Sequence, residues 1–239
     1  MNAPTTQKPE IEYPESDGEP MGETEFHINQ LFDFLIHPLK ERYWNKPDAY
    51  VVSRMFLYYE EGNPRAVVDP DLYVVFGVPK KVRRTYKSWE EGKVPDVIFD
   101  LISEKTYRVD LGEKRFLYEE LGVKEYFLFD PLSERLRPPL QGFRLVEDYY
   151  MPLVPNQVSP GVWELPSEQL GLILRTVDNN LRFYDPQTEQ YLLTRSEESE
   201  ARRMAEKVQR QEEASWRLAE AKLEEAEAEI ARLKKLLGE

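Results

Sequence analysis

Apolar residues between positions 94 and 131 follow a strand–helix–strand pattern. Residues 95–102 form an apolar run that contains two aspartates, and residues 124–130 form a second apolar run. Helical spacing over 110–121, ended by Gly122, predicts a helix between them. Two strands joined by a helix of this length usually lie parallel in one sheet, with a right-handed crossover. The pattern therefore predicts a parallel strand pair within an α/β (α+β) fold.

The first helix is predicted over residues 23–39. Thr24 suits the N-cap, and four apolar residues fall near one stripe: Phe26, Leu31, Phe34 and Leu35. Its first turn carries Glu23, Glu25 and His27. Acids in a first turn stabilise the helix by about 0.3–1 kcal/mol each. The alternative is that one of these carboxylates points into an active site.

Two longer apolar runs predict strands over 49–59 and 66–78, with a turn at 60–64. The second strand is entered through Asp69-Pro70-Asp71, and the two-residue period places Asp71 on one face with Tyr73 and Val75. An acid at the mouth of a strand is commonly a turn residue, so Asp71 alone indicates little. Further on, we expect short strands and a meander over 134–165, then a hairpin or three short strands over 170–193.

The last part of the chain, residues 194–239, lacks proline and is rich in Ala, Glu, Arg, Lys and Leu. It predicts a long helix that can form a short coiled coil, most simply with another copy of the chain. We expect a flexible, proline-rich arm over 1–20, a main domain over 21–193, and this helix. The heptad positions are Trp216, Leu223, Ile230 and Leu237, with Ala219, Ala226 and Leu233.

Composition narrows the classes of function. The formal net charge of −13 argues against attachment to nucleic acid by bulk electrostatics, but it does not exclude a local basic cleft. The absence of cysteine removes disulfides, thiolate metal sites and cysteine nucleophiles. Two histidines cannot form a three-histidine zinc site, so any metal is expected to be a hard ion held by carboxylates. No leader or membrane span is evident, which favours a cytoplasmic protein without membrane partners.

A basic cluster interrupts this acidic chain. It comprises Lys80, Lys81, Arg83, Arg84 and Lys87, with Tyr86 and Trp89 among them. One interpretation is a solvated loop that balances Glu90 and Glu91. The other is a loop that contacts a phosphate backbone and stacks on a base.

The two aspartates of the 95–102 strand are the most informative chemistry. Asp96 and Asp100 share a face with Ile98 and Ile102, and a buried charge is costly unless it is paired or binds a metal. On the following helix Lys114 lies four residues after Asp110. Lys114 either forms a surface ion pair worth about 0.3–0.5 kcal/mol or faces the strand carboxylates.

Together these segments resemble the Uma-two family of restriction endonucleases, within the PD-(D/E)XK phosphodiesterase superfamily. The matching segments cover roughly 20–190: Pro70-Asp71, then Pro95-Asp96 through Asp100 and Ser103, then Asp110, Lys114 and Tyr118, then Gly122-Val123 through Asp130.

The resemblance implies a restriction-endonuclease-like core, with a mixed central sheet flanked by helices, that cleaves DNA. Asp71 and Asp100 would hold Mg²⁺, or Mn²⁺ in its place, and Lys114 would steady the attacking water or the phosphoryl oxygens. Glu25 or Glu23 would add a ligand from the first helix. Asp96 and Tyr118 are further candidates.

The sequence departs from the family pattern at three positions. Ile102 occupies the superfamily's lysine position, so the lysine must come from the helix. Asp100 and Phe127 stand where Glu and Trp are more frequent. An alternative function is therefore a catalytically inactive nuclease fold that acts as a binding or assembly module. A hydrolase using His27 or His37 with a serine is disfavoured because the chain has no Gly-x-Ser-x-Gly turn.

Overall fold

The computed structural model describes residues 11–15 and 24–237, which fall into two compact units. The first unit ends at Thr194 and the second is one helix. The helices are α1 (Glu25–Asn29, a π-helical segment Gln30–Ile36, and His37–Arg42), α2 (Ser88–Glu91), α3 (Tyr107–Val109, a π-helical segment Asp110–Lys114, and Arg115–Leu121) and α4 (Arg195–Leu237).

The strands divide among three sheets. They are β1 (Ala49–Ser53), β2 (Leu57–Tyr58), β3 (Val67–Val68), β4 (Leu72–Phe76), β5 (Tyr86–Lys87), β6 (Val97–Leu101), β7 (Glu125–Phe129), β8 (Leu140–Val146), β9 (Tyr149–Pro152), β10 (Asn156–Ser159), β11 (Val162–Ser167), β12 (Leu172–Val177), β13 (Asn180–Asp185) and β14 (Gln190–Tyr191). The central sheet has six strands in the order β1-β4-β6-β7-β8-β9. The other sheets have the orders β10-β11-β12-β13-β14 and β3-β2-β5.

The central sheet is mixed. β6 and β7 pair in parallel, whereas β1–β4, β4–β6, β7–β8 and β8–β9 are antiparallel. The expected α/β class, the mixed central sheet and the parallel pairing of the 95–102 and 124–130 strands are confirmed.

β6 is buried on both faces, which explains its nearly continuous apolar sequence. Val97, Phe99 and Leu101 join a core that contains residues of α1 and of the five-stranded sheet. Ile98, with Ile102 just beyond the strand, joins a second core that contains Tyr118 of α3. Asp100 shares the face of Ile98 and is therefore directed towards α3.

The two long strands expected over 49–59 and 66–78 are each divided in two. Arg54, between β1 and β2, has φ +47°, a left-handed conformation that breaks an extended chain. β1 then belongs to the central sheet and β2 to the three-stranded sheet. Pro70 lies between β3 and β4 and has no N–H for a strand ladder. Asp71 is consequently placed in the connection that enters β4.

Helix α1 differs from its expected pattern. It runs on past Pro38 to Arg42, and Phe26 is exposed while Phe34 is half-buried. Leu31 and Leu35 are buried as predicted, and Ile36 and Leu39 are buried with them. Leu31, Leu35 and Leu39 are spaced four residues apart, and Phe26 lies off the face that they form.

The structure also bears on the strands predicted after residue 134 and on the predicted N-terminal arm. The three short strands foreseen over 170–193 are β12, β13 and β14, and the meander before them contributes β8 and β9 to the central sheet. Within the expected arm, residues 11–15 contact the main domain, where Tyr58 Oη donates to the carbonyl of Pro14 over 2.6 Å. The rest of the arm lies outside the described residues. No helix in the described ranges is long and apolar enough to cross a membrane.

Candidate active site

Asp71 and Asp100 meet where β4 and β6 lie side by side. The Asp71 backbone N–H donates to Asp100 Oδ1 over 3.1 Å. In return, the Leu101 backbone N–H donates to Asp71 Oδ2 over 2.7 Å. Because these bonds connect each carboxylate to the other strand's backbone, the antiparallel pairing fixes both side chains.

Lys114 reaches this pair from the π-helical part of α3. Its Nζ lies 3.2 Å from Asp100 Oδ2 and 2.9 Å from Asp110 Oδ1. The side chains of both aspartates are only 1% exposed, and that of Lys114 is 17% exposed. The lysine is therefore directed at the strand carboxylate and does not form a surface ion pair.

Tyr126 of β7 completes the bonding around Asp100. Its hydroxyl lies 2.8 Å from Asp100 Oδ2 and 3.1 Å from the carbonyl oxygen of Asp110, so it also connects β6 to α3. Burial raises the pKa of Tyr126 well above its ordinary value, and the charge of Asp100 adds to this effect. The tyrosine is thus a hydrogen-bond donor at neutral pH.

The charges of this cluster shift one another's pKa values. Burial and the neighbouring Asp100 raise the pKa of Asp110, and Lys114 offsets part of that effect. Burial disfavours the charged form of Lys114, but Asp100, Asp110 and Asp71 together outweigh it and raise the pKa of Lys114 above its ordinary range. Lys114 therefore remains an ammonium at neutral pH.

The cluster borders a cavity of about 150 Å³. Asp69, Asp71, Asp110 and Lys114 line it, whereas Asp100 is set behind the wall, where Lys114 contacts it. The complete lining is His27, Leu31, Arg54, Asp69, Asp71, Leu101, Ser103, Thr106, Asp110 and Lys114.

Arg54 is the second cation of the cavity. Its guanidinium lies 3.6 Å from Asp71 Oδ1 and 3.8 Å from Asp69 Oδ2. Its left-handed backbone is uncommon for a residue other than glycine and is often found at functional sites. The strand break at Arg54 therefore places a cation beside Asp71.

The chemistry of these donors suits a hard divalent cation. Four carboxylates (Asp69, Asp71, Asp100 and Asp110) surround the cavity or lie directly behind it, against the two cations Arg54 and Lys114. This leaves a formal surplus of two negative charges. In the described ranges no three acidic or histidine side chains form a group able to hold a metal ion. Mg²⁺ is commonly held by only one or two carboxylates, with water and substrate phosphate completing its shell. Two carboxylates therefore fit that ion, and residues 11–15 and 24–237 form no closed protein cage around it.

The other candidates from the sequence lie elsewhere. Glu25 is exposed on α1 and does not line the cavity, and Glu23 lies outside the described residues. Asp96, at the other end of β6, is ion-paired to Lys93 over 2.8 Å and to Lys124 over 2.7 Å. Tyr118 is buried, with its ring 4.9 Å from that of Tyr126, and burial raises its pKa well above the ordinary value. Tyr118 supports the cluster from the core side.

Four residues of the site were not anticipated from the sequence: His27 as a cavity residue, Arg54, Asp69 and Tyr126. Nε2 of His27 donates to the carbonyl oxygen of Ile102 over 2.9 Å, and Nδ1 lies 2.8 Å from the Thr24 hydroxyl, which does not cap the helix. The histidine thereby ties α1 to the end of β6. For Tyr126 a signal existed, since its position in the parallel register, opposite Ile98, places it on the face of Asp100.

The basic cluster of residues 80–87 is largely engaged within the domain. Arg83 and Lys81 lie 2.8 Å and 2.9 Å from the carboxylate of Glu91, and Lys87 lies 3.0 Å from that of Glu90. The expected balance of charge with Glu90 and Glu91 is confirmed, but the Arg83 and Glu91 side chains are buried and not solvated. These pairs reduce the charge available to a phosphate backbone.

Comparison with known proteins identifies the family of the chain. One solved structure that resembles the chain is described as a putative nuclease belonging to DUF820 from Anabaena variabilis ATCC 29413. Its sequence is 10% identical to this one, the match covers 53% of this chain and 68% of the other chain, and the TM-score is 0.38. No curated protein matches. The family model described as "Uma2: Putative restriction endonuclease" matches residues 2–215. The chain therefore belongs to the Uma2 family.

Proposed function

We propose that the chain is a metal-dependent DNA endonuclease that hydrolyses phosphodiester bonds with Asp71, Asp100 and Lys114. The observation that carries this proposal is the placement of Lys114. Its ammonium contacts the buried Asp100 and borders the cavity that Asp71 also lines. Carboxylates can hold a metal ion and a lysine can stabilise charge on a phosphoryl oxygen, so this arrangement suits phosphoryl transfer. The family description supports a nuclease, and DNA is the substrate that we infer from it.

We assign the metal to Asp71 and Asp100, with Mg²⁺ as the ion and Mn²⁺ as its substitute. When bound, such an ion activates water and offsets negative charge on the phosphate. The formal excess of two negative charges around the cavity supports a divalent cation. Asp71 lines the cavity directly, whereas Asp100 is set behind Lys114, so both carboxylates would hold the ion only if the Lys114 side chain moved aside.

Lys114 has a role that its protonation state defines. Because its pKa is raised, it does not take a proton from water at neutral pH. It instead donates hydrogen bonds to the phosphoryl oxygens and stabilises the charge that develops on them. Arg54, the second cation at the cavity, orients the carboxylate of Asp71.

The test is cleavage of supercoiled plasmid in the presence of Mg²⁺, Mn²⁺ or EDTA. The wild type should convert the plasmid to nicked or linear forms with either metal, and Asp71→Asn and Asp100→Asn should each lower the rate by at least about 100-fold. Asp96→Asn is the matched control for Asp100→Asn, because Asp96 is a buried, ion-paired aspartate of the same strand that does not border the cavity. Activity that persists in Asp100→Asn, or that EDTA leaves intact, would refute the mechanism.

A binding or assembly module without catalysis is the second candidate. The burial of Asp100 behind Lys114 and Tyr126 favours it, since both donors occupy Oδ2. Calorimetric titration with Mn²⁺ separates the candidates. A nuclease should show a heat of Mn²⁺ binding that is lost in Asp71→Asn and kept in Asp96→Asn. A non-catalytic module should show no metal binding.

The cytoplasmic location stays a prediction of the sequence.

A further inference from the structure

The C-terminal helix α4 has two halves of different character. In the half before Trp216, charged pairs such as Arg202–Glu206, at 3.2 Å, lie along the helix. From Trp216 onwards an apolar seam appears. Trp216, Leu223, Ile230 and Leu233 are between 49% and 75% exposed, a large fraction for side chains of this size. A helix with an exposed seam at heptad spacing needs a partner to bury it.

The seam follows a heptad assignment. With Trp216, Leu223 and Ile230 at a, and Ala219, Ala226 and Leu233 at d, the flanking positions are fixed. The e positions are Glu220, Glu227 and Lys234, and the g positions are Lys222 and Glu229. These flanking residues are exposed on α4. In coiled coils, e and g charges determine the partner and its orientation.

We propose that α4 pairs with α4 of a second copy as a parallel, in-register coiled coil over residues 216–237. In that arrangement each g position faces the e position five residues later in the other helix. Lys222 then faces Glu227 of the partner subunit, and Glu229 faces Lys234 of the partner subunit. Both contacts join opposite charges, and each occurs twice by symmetry.

An antiparallel pair is less well matched. With the same overlap, e positions face e positions and g positions face g positions. Lys222 then meets Glu229 of the partner subunit, which is favourable, but Glu220 meets Glu227 of the partner subunit, which is repulsive. The two contacts cancel, so the charge pattern selects the parallel orientation.

The pairing should be weak and dependent on concentration. Two of the described d positions are alanine, which bury little apolar surface in comparison with leucine. The seam also spans only about three heptads. This proposal does not depend on the proposed nuclease activity, so an experiment that refutes one of the two proposals does not refute the other.

The test uses the full chain in sedimentation equilibrium across a range of concentrations. The wild type should show a monomer–dimer equilibrium, and Leu223→Glu should be monomeric. Glu227→Lys separates the orientations: in a parallel dimer it places Lys against Lys222 and should weaken association by about tenfold or more. In an antiparallel dimer it would face Glu220 and strengthen association, which would overturn the proposal.

Two further variants complete the design. Lys222→Glu combined with Glu227→Lys restores the parallel charge match and should recover dimerisation. Glu225→Lys makes the same charge change at the outward-facing c position and should leave the equilibrium unchanged. Helicity by circular dichroism should be alike in all variants. A wild type that is monomeric at every concentration, or a double variant that stays as weak as Glu227→Lys, would refute the parallel pairing.

Discussion

Lys114 pairs with Asp100 across the space between α3 and β6, with Nζ 3.2 Å from Oδ2. Asp96, the residue before β6, pairs with Lys124 over 2.7 Å and with Lys93 over 2.8 Å. Both aspartates are almost fully buried, so two carboxylates near the two ends of β6 are paired with lysines. The Lys114–Asp100 pair borders the cavity and the Lys124–Asp96 pair does not. Comparing variants of the two pairs therefore separates the effect of a buried ion pair on stability from its effect on cleavage.

Lys114→Met should affect both stability and cleavage. It leaves Asp100 and Asp110 as neighbouring buried carboxylates without their cation, and breaking a buried pair in this way costs about 3 kcal/mol or more. Plasmid cleavage should fall by at least about 100-fold. Urea unfolding and nicking assays measure the two effects. Lys124→Met is the control: Lys93 still pairs with Asp96, so stability should fall by less, and plasmid cleavage by the folded protein should continue. Equal losses of cleavage in both variants would contradict the assignment.

Asp110→Asn should leave the protein at least as stable as the wild type at pH 7. The pKa of Asp110 is raised by burial and by Asp100, so its protonated form is favoured in the folded state. That stabilisation is present below the ordinary pKa of aspartate and is lost as the pH rises through the folded value. Asparagine imitates the protonated form, so the difference from wild type should vanish towards pH 3. Urea unfolding at several pH values measures this, and a variant clearly less stable at pH 7 would contradict it.

Glu91 should make stability sensitive to acid. Hydrogen bonds from Arg83, assisted by Lys81, lower the pKa of Glu91 to about 2. A lowered pKa stabilises the fold above the ordinary value of a glutamate, and this contribution is lost as the pH falls from about 4.5 towards 2. Glu91→Gln should therefore cost about 1–2 kcal/mol at pH 7, and the cost should shrink with acid. Glu90→Gln, at a more exposed residue, is the control and should change stability by less than about 0.5 kcal/mol at any pH.

Ile102→Lys tests whether the superfamily's lysine position could replace Lys114. Ile102 is 2% exposed and packs in the core with Tyr118 and Val123. An ammonium there loses its hydration, so the change should cost about 3 kcal/mol or more, and it should not restore cleavage to Lys114→Met. Thermal unfolding and nicking assays measure both. Recovery of cleavage in the double variant would show that the site accepts a lysine from the strand.

Local patterns were sufficient to predict the elements that form the site. Strand β6, the helix after it and the parallel partner β7 follow from apolar periodicity within one segment. The spacing of Lys114 from Asp110 left two alternatives for this lysine, and its place in the site came from the family resemblance. The position of Asp71 beside Asp100 came from a resemblance to a family, because the pairing of β4 with β6 is not visible in either strand alone. Whether these residues act in catalysis stays a prediction.

What the sequence did not indicate depends on contacts between distant segments or on unusual backbone. Arg54 is in the site because its left-handed backbone ends β1, and no residue pattern marks that conformation in a non-glycine residue. His27 bonds to Ile102, 75 positions later. Phe26 was wrongly assigned to the buried stripe of α1, whereas Leu31 and Leu35 were assigned correctly.

Both helices that border the cavity contain such a π-helical segment, Gln30–Ile36 in α1 and Asp110–Lys114 in α3. A π-turn holds one residue more than an α-helical turn, so each segment is equivalent to a single-residue insertion absorbed by the helix. Removing one residue from Asp110–Lys114 would restore α-helical bonding while the helix on either side kept its register. Asp110 and Lys114 would then be three residues apart and still share one face of α3. The extra residue therefore sets the spacing between this aspartate and this lysine without changing the fold around them.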